Sequence, residues 1–297
     1  TYYTAGDYVL AGGFRYEVAE SGASDHHLTT VGGVKLYILP NTEGEIDWGA
    51  TGAVSDAADH GAQWSAAVAA LTRAGTRCLR VPSGTWRFSY VIMPEGLVVK
   101  CVNRLTIFKP VSSNSRAIFT MDSGSSTTYL DGCSFEGATF MGAEVTPTFS
   151  EQKHLVTLNG VDGAVFTNCW FSGWRGDALY IGSSDTGGTT ERHNKNIRVS
   201  GCHFDGVNRE NRQAISAIDI DGIHITGNTF INCTKDSMPG VIDFEPDAHP
   251  FHIIKNVWVE GNHFSNCGGN VGTITVFIPS VTPLCQNINI LNNTARG

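Results

Sequence analysis

The segments VSGCHF at 199–204, ITGNTF at 225–230 and VEGNHF at 259–264 share one pattern. Each runs apolar, polar, Gly, Cys or Asn, polar, Phe. Related segments are LDGCSF at 130–135, FTNCWF at 166–171 and ILNNTA at 290–295. Gly or Asn always precedes the Cys or Asn, and both residues tolerate left-handed backbone at a bend. The pattern predicts an internal repeat that runs through most of the chain.

The repeat predicts an all-β fold, a right-handed parallel β-helix in which like residues stack on like residues in the next turn. Stacked strands lie about 4.8 Å apart, so aligned phenylalanine rings form one ladder. The expected ladder is Phe135, Phe171, Phe204, Phe230 and Phe264. Stacked side chains point the same way and fit disulfide geometry poorly, so the eight cysteines are predicted to be free thiols.

A second column of residues has apolar neighbours on both sides. Its predicted members are Thr120, Thr157, Tyr180, Asp219, Asp243 and Thr275. Alternation with period two directs the neighbours inward and this column outward. The column is therefore expected to form one exterior face of the β-helix.

The composition excludes several classes of protein. The chain has 297 residues, is 41% hydrophobic and carries a net charge of −8. The 20 Lys and Arg residues form no basic cluster, so nucleic acid is not an expected partner. No apolar run is long enough for membrane insertion. No CxxC, HExxH or GxxxxGK[ST] motif is present, so neither a metal site nor a cofactor is predicted.

The first part of the chain lacks the repeat. Residues 1–45 are predicted to form a small N-terminal β module or connector, and residues 46–297 the β-helix domain, which we expect to continue beyond Gly297. Ser55 and Asp56 are the predicted start of a capping α-helix that ends at Gly75. Its apolar face would cover the open end of the β-helix.

Two runs carry a family resemblance: WGATGAVSDAADHGAQWSAAVAAL at 48–71 and RCLRVPSGTWRFS at 77–89. They resemble the opening of pectate-lyase-like β-helix domains, although Ala53 to Ala58 stand where an acidic D-G-x-x-D-D stretch is common. Residues 11–40 resemble the segment ahead of the β-helix in bacteriophage tailspikes and tail fibres. The resemblance implies a homotrimer in the virion tail, contacts with other phage tail proteins and action on a bacterial surface polysaccharide.

Acidic residues enter the outward column in two adjacent turns. SAIDIDG supplies Asp219 and Asp221, and GVIDFEPD supplies Asp243, Glu245 and Asp247. We expect Asp219 to stack on Asp243 and Asp221 on Glu245. Mutual repulsion would raise the pKa of one carboxyl, as glycoside cleavage requires. Glu245 is the predicted general acid and Asp219 or Asp243 the base, with inverting and retaining chemistry both open.

Residues beside these strands supply predicted substrate contacts. Basic groups near such a site could hold acidic sugars, and an aromatic ring in the outward column could serve as a stacking platform. The predicted substrate-binding residues are Asp221, Tyr180, Arg209, Arg212, Lys235, Asp247 and His249.

Three functions fit these residues. The first is a phage tailspike depolymerase that hydrolyses a capsular or O-antigen polysaccharide. The second, implied by the resemblance, is a polysaccharide lyase on the same fold, with Ca²⁺ held by the acidic residues and Arg212 as base. The third is a receptor-binding tail protein without catalysis. A solvated acidic face or a weak cation site is the simpler alternative for the acidic residues themselves.

Overall fold

The computed structural model describes residues 3–112, 118–122, 124, 128–142, 151–183, 191–207, 211–247, 249–278 and 284–297. Three parallel sheets of eight, seven and eleven strands wind along the chain as a right-handed parallel β-helix, which confirms the predicted fold. Consecutive strands of one sheet come from consecutive turns. Each turn therefore contributes backbone hydrogen bonds to the turns before and after it.

The strand bounds define the three sheets. The eight-stranded sheet comprises Gly84–Phe88, Thr106–Pro110, Ala138–Met141, Trp170–Ser172, His203–Asp205, Thr229–Ile231, His263–Ser265 and Thr294–Arg296. The seven-stranded sheet comprises Val91–Ile92, Phe119–Asp122, Val156–Asn159, Leu179–Ile181, Ile215–Ala217, Ile242–Phe244 and Ile274–Val276. The eleven-stranded sheet comprises Ile46–Asp47, Cys78–Val81, Val98–Cys101, Leu130–Asp131, Ser134–Glu136, Val161–Asp162, Val165–Thr167, Asn194–Ser200, Ile220–Thr226, Ile253–Glu260 and Leu284–Leu291.

An asparagine ladder holds successive turns together at the predicted bend. Asn262 Oδ1 accepts hydrogen bonds from the backbone N–H and side-chain amide of Asn228, both at 2.9 Å. The side chain of Asn293 accepts the equivalent bonds from Asn262 one turn later. The residues before these three, Gly227, Gly261 and Asn292, have φ of 63°, 63° and 55°. The left-handed bend predicted from the Gly and Asn residues is confirmed at these positions.

The phenylalanine ladder is confirmed in four of its five predicted members. The rings of Phe171, Phe204, Phe230 and Phe264 stack with centroid separations of 4.6, 4.8 and 4.7 Å. The prediction for Phe135 is wrong, because Phe140 stands opposite Phe171 and Phe135 pairs with Phe166 on the eleven-stranded sheet. The run CSFEGATF contains two phenylalanines, and the bend at Gly137 between them moves the second one into the ladder.

The capping helix is present but shorter than predicted. The α-helix spans Gly61–Ala74 and ends at Gly75, whose φ of 64° provides the expected left-handed cap. Its predicted start is wrong, since Ser55 Oγ instead accepts a hydrogen bond from the Thr85 N–H and residues 52–60 do not form a helix. Trp64 and Leu71 are buried in the core, as the apolar face predicts.

Ahead of the β-helix lies a four-stranded antiparallel sheet. Its strands are Tyr8–Ala11, Phe14–Val18, Leu28–Thr29 and Lys35–Ile38. A short 3₁₀-helix, Trp48–Thr51, follows the first strand of the parallel body. The division of the chain at residue 45 stays a prediction.

All eight cysteines lie among the described residues and are free thiols, as predicted. Four of them, including Cys169 and Cys202 in adjacent turns, are buried. Within the part of the chain that the structure describes, no helix combines the length and apolarity that a membrane span requires.

The asparagine ladder gives a stability prediction. Asn262→Ala removes the one oxygen that accepts hydrogen bonds from both the backbone N–H and the side-chain amide of Asn228, and it removes the side-chain donor to the Ile225 carbonyl. We expect the free energy of unfolding to fall by about 3 kcal/mol, the scale of unpaired buried polar groups. Urea unfolding followed by circular dichroism measures this change. Asn270→Ala, at an exposed asparagine outside the ladder, is the matched control, and an equal loss in both variants would contradict the prediction.

Candidate active site

The predicted membership of the second column, which lies on the seven-stranded sheet, is correct except at one position. Parallel register joins Thr120 to Thr157, Thr157 to Tyr180, Tyr180 to Ser216, Ser216 to Asp243 and Asp243 to Thr275. Ser216 therefore occupies the place predicted for Asp219, and the predicted stacking of Asp219 on Asp243 is wrong.

The error has a simple physical cause. Ile215-Ser216-Ala217 and Ile218-Asp219-Ile220 both alternate with period two, so either could form the strand. The strand ends at Ala217, Ile218 and Asp219 form a bend, and the next strand starts at Ile220. The predicted exterior position is also wrong for four members of the column, because Asp219, Asp243, Thr120 and Thr275 are 1%, 0%, 4% and 6% exposed.

Asp243 lies beneath the surface in contact with a glutamine. Its Oδ2 accepts a hydrogen bond from Gln213 Nε2 at 3.0 Å, whereas its Oδ1 receives none from the described residues. Burial, followed by the neighbouring carboxylate of Glu245, raises the pKa of Asp243 to about 7. Glu245 is half-buried and reaches the surface. These two carboxyls form the acidic pair of the site.

A charged cluster lies at the start of the neighbouring strands. The carboxylate of Asp177 is buried and is 3.3 Å from His154 Nδ1 and 3.6 Å from Arg212 Nη1. Arg212 Nη2 also contacts Glu151 Oε1 at 3.1 Å. The Gln213 N–H donates a hydrogen bond to Asp177 Oδ1 at 3.1 Å. Asp177 therefore fixes the backbone of Gln213, the residue whose side chain binds Asp243.

Tyr180 occupies the column between the charged cluster and Ser216. Its ring stacks on His154 with centroids 4.3 Å apart and planes 6° apart. Burial, followed by the charges of Asp177 and Asp247, raises the pKa of its hydroxyl to about 12. Tyr180 therefore stays protonated near neutral pH and offers a ring and a hydroxyl donor to a ligand.

Asp219 belongs to a separate histidine cluster at the other end of the strands. Its Oδ1 is 2.8 Å from His193 Nδ1 and accepts a hydrogen bond from the Ile253 N–H at 3.0 Å. Burial opposes the charged form of His193, but the hydrogen bonds to Asp219 and Glu191 outweigh it and raise the His193 pKa. Asp219 thus anchors backbone rather than facing Asp243.

The remaining predicted site residues lie in several different parts of the structure. Asp221 does not stack on Glu245, because it lies on the eleven-stranded sheet between Lys195 and Lys255 and accepts a hydrogen bond from Asn256. Asp247 is exposed and lies 3.9 Å from His252, whose ring is 4.7 Å from that of His249. Lys235 is half-buried in the connection before Ile242–Phe244, and Arg209 lies outside the described residues.

The structure adds site residues that the sequence did not predict as such. His154 and Gln213 come from connections between strands, where the repeat gives no column to follow. Asp177 precedes Tyr180 by three residues, and Gln213 precedes Ser216 by three. Correct register of the second column would therefore have aligned Asp177 with Gln213. Among the residues described, no group of three or more His, Cys, Asp or Glu side chains is arranged to hold a metal ion.

Comparisons with family models and with curated proteins give no match. Similar solved structures include a variant of a PL6 family alginate lyase, at 10% identity and a TM-score of 0.42, over 74% of this chain and 36% of that one. The ORF18 protein of Geobacillus virus E2 has 12% identity and a TM-score of 0.32, over 99% of this chain and 70% of that one. This chain thus spans about a third of the lyase's length. The fold assignment rests on the observed strand register and not on these similarities.

The raised pKa of Asp243 predicts a pH-dependent stability. The native carboxyl stays protonated up to about pH 7, whereas an unfolded aspartate ionises near about pH 3.9. Between these values the native state binds more protons, so the free energy of unfolding falls as pH rises, by less than about 1.4 kcal/mol per pH unit, and levels off above about pH 7.

Asp243→Asn should weaken this dependence and leave the part due to Asp219, whose pKa is also raised by burial. Glu245→Gln should weaken it by removing the neighbouring charge. Urea unfolding at about pH 5 and about pH 8 measures the difference. Asp131→Asn, at an exposed aspartate near Arg77, should keep the wild-type dependence. An unchanged pH dependence in Asp243→Asn would show that another group is responsible.

Proposed function

We propose that this chain is a phage tail-associated depolymerase that hydrolyses glycosidic bonds of a bacterial capsular or O-antigen polysaccharide. The observation that carries the proposal is the Asp243–Glu245 pair, a buried carboxyl of raised pKa beneath a carboxyl that reaches the surface. Such a pair holds a proton near neutral pH, which is what a general acid in glycoside cleavage must do.

The burial of the carboxyls assigns their roles. Glu245 is accessible and protonates the glycosidic oxygen, as the sequence predicts for it. Asp243 cannot touch a sugar while fully buried, so it acts through Glu245 by sharing a proton with it. Asp219 is buried in the histidine cluster and is not the base. Glu151, 55% exposed and held by Arg212, is the carboxylate that activates water.

The surface between these groups forms the proposed sugar subsite. Tyr180, stacked on His154, provides the flat ring that sugars pack against. Arg212 supplies a fixed positive charge that suits an acidic sugar. Asp247 lies close enough to raise the Tyr180 pKa and borders the same subsite. A homotrimer, attachment to other tail proteins and a place in the virion tail complete the proposal and follow from the resemblance of residues 11–40.

A lyase remains the second candidate because Arg212 could neutralise a uronate carboxylate. Arg212 itself does not serve as the base, since a guanidinium stays protonated and this one pairs with Glu151 and Asp177. The raised pKa of Tyr180 also disfavours the phenolate that elimination would require. Hydrolysis is therefore the better supported reaction.

The test incubates the purified chain with a panel of capsular and lipopolysaccharide sugars and identifies the products by mass spectrometry. Hydrolysis adds water and releases new reducing ends. An unsaturated, ultraviolet-absorbing product would select the lyase instead. Binding without any product would select the receptor-binding function.

The acidic pair gives a mutational prediction. Glu245→Gln should lower kcat at least about 100-fold, the scale of a lost general acid, with little change in KM. Asp243→Asn should lower kcat less and shift its pH profile, because Asp243 acts through Glu245. Glu260→Gln, at an exposed glutamate on the eleven-stranded sheet, should retain full activity. Equal activity in Glu245→Gln and wild type would exclude the acidic pair from catalysis.

A further inference from the structure

Ser183, His252 and Asp247 lie next to one another beside the proposed sugar subsite. Ser183 Oγ lies 2.8 Å from His252 Nε2. The other ring nitrogen of His252, Nδ1, is 3.9 Å from Asp247 Oδ2, which is within ion-pair range but longer than a hydrogen bond. A nucleophilic serine requires this order: hydroxyl to one imidazole nitrogen, carboxylate to the other.

The hydrogen bonds and packing of Gly182 fix the position of Ser183, the next residue. The carbonyl of Gly182 accepts a hydrogen bond from Asn194 Nδ2, and the same amide group also donates to the Asp219 carbonyl. A Cβ at Gly182 would lie 2.6 Å from both Asn159 Oδ1 and the Tyr180 ring, so a larger residue here would displace these side chains. The residue before the serine is thus tightly packed against the proposed sugar subsite.

Burial and backbone hydrogen bonds also fix the position of His252. Its side chain is buried, its N–H donates to the His249 carbonyl, and the next N–H, of Ile253, donates to Asp219 Oδ1. Asp219 is in turn bound to His193 at 2.8 Å. The histidine cluster around Asp219 therefore fixes the backbone that positions His252 beside Ser183.

Exposure differs among the three residues. Ser183 is half-buried, His252 is buried, and Asp247 is exposed. Asp247 also lies close enough to Tyr180 to raise its pKa, so the serine and the proposed sugar subsite share one border.

We propose that Ser183, His252 and Asp247 form a catalytic triad that hydrolyses O-acyl esters, such as acetyl groups, on a sugar. This activity is separate from glycoside cleavage and does not depend on it. The triad removes an acyl substituent next to the subsite that binds the polysaccharide backbone.

The reaction balances with water as the only co-substrate. His252 Nε2 takes the Ser183 proton as Oγ bonds to the ester carbonyl carbon. The bond from that carbon to the sugar oxygen breaks, and His252 returns the proton to the sugar hydroxyl. Water, deprotonated by His252, then attacks the acyl-serine, which releases the carboxylic acid and restores the Ser183 hydroxyl. Asp247 stabilises the imidazolium in both halves.

The test uses the full chain with two small probes, p-nitrophenyl acetate and peracetylated methyl glucoside, and a fluorophosphonate that labels activated serines. We expect hydrolysis of both esters and a single adduct that peptide mapping places on Ser183. Ser183→Ala should abolish the adduct and lower the rate at least about 100-fold. His252→Asn should do the same, although it leaves the serine in place.

Two controls separate this activity from folding and from the carboxylate pair. Ser265→Ala, at a half-buried serine on the eight-stranded sheet, should keep both rate and labelling. p-Nitrophenyl acetate contains no glycosidic bond, so its hydrolysis measures the ester activity apart from glycoside cleavage. Thermal unfolding shows whether Ser183→Ala retains the fold. Absence of an adduct in the wild type, an adduct on another serine, or unchanged hydrolysis in Ser183→Ala would each overturn the proposal.

Discussion

Hydrogen bonding between successive turns in parallel register is the constraint on which the rest of the molecule depends. It places each side chain directly above its counterpart in the next turn, so one favourable stack is repeated many times. Phe171, Phe204, Phe230 and Phe264 stack in this way in the core, and Asn228, Asn262 and Asn293 do so at the bend. Aromatic stacking contributes about 0.5–1.5 kcal/mol per pair beyond burial, and each asparagine pairs backbone groups that would otherwise be buried unbonded.

The same constraint decides which side chains meet along the second column. A residue in this column is close to the residue of equal position one turn away, which places the buried Asp243 beside Ser216 and Thr275. The charged groups around it come from the connections at either end of the strands, with Asp177 and Arg212 at one end and Asp219 and His252 at the other. The seven-stranded sheet therefore presents two chemically different borders along a single face.

The sequence predicts those features that the repeat itself dictates. The bends at Gly227 and Gly261, the phenylalanine ladder and the free thiols follow from the period, because stacking forces equivalent positions to be alike. Register could not be predicted where the alternation is ambiguous, as between Ser216 and Asp219, or where two phenylalanines compete, as between Phe135 and Phe140. Contacts such as His252 with Ser183 join residues 69 positions apart through connections of unequal length, and no pattern in the sequence records them.

The unpaired thiols have a consequence for how the molecule holds together. Because all eight cysteines are free thiols, no disulfide joins one turn to the next, and apart from the continuous backbone the turns are held together by non-covalent contacts. Burial raises the pKa of Cys101, Cys133 and Cys169, so these sulfurs resist ionisation and the chemistry that needs a thiolate. The core of the β-helix therefore contains no disulfide that a reducing environment could break.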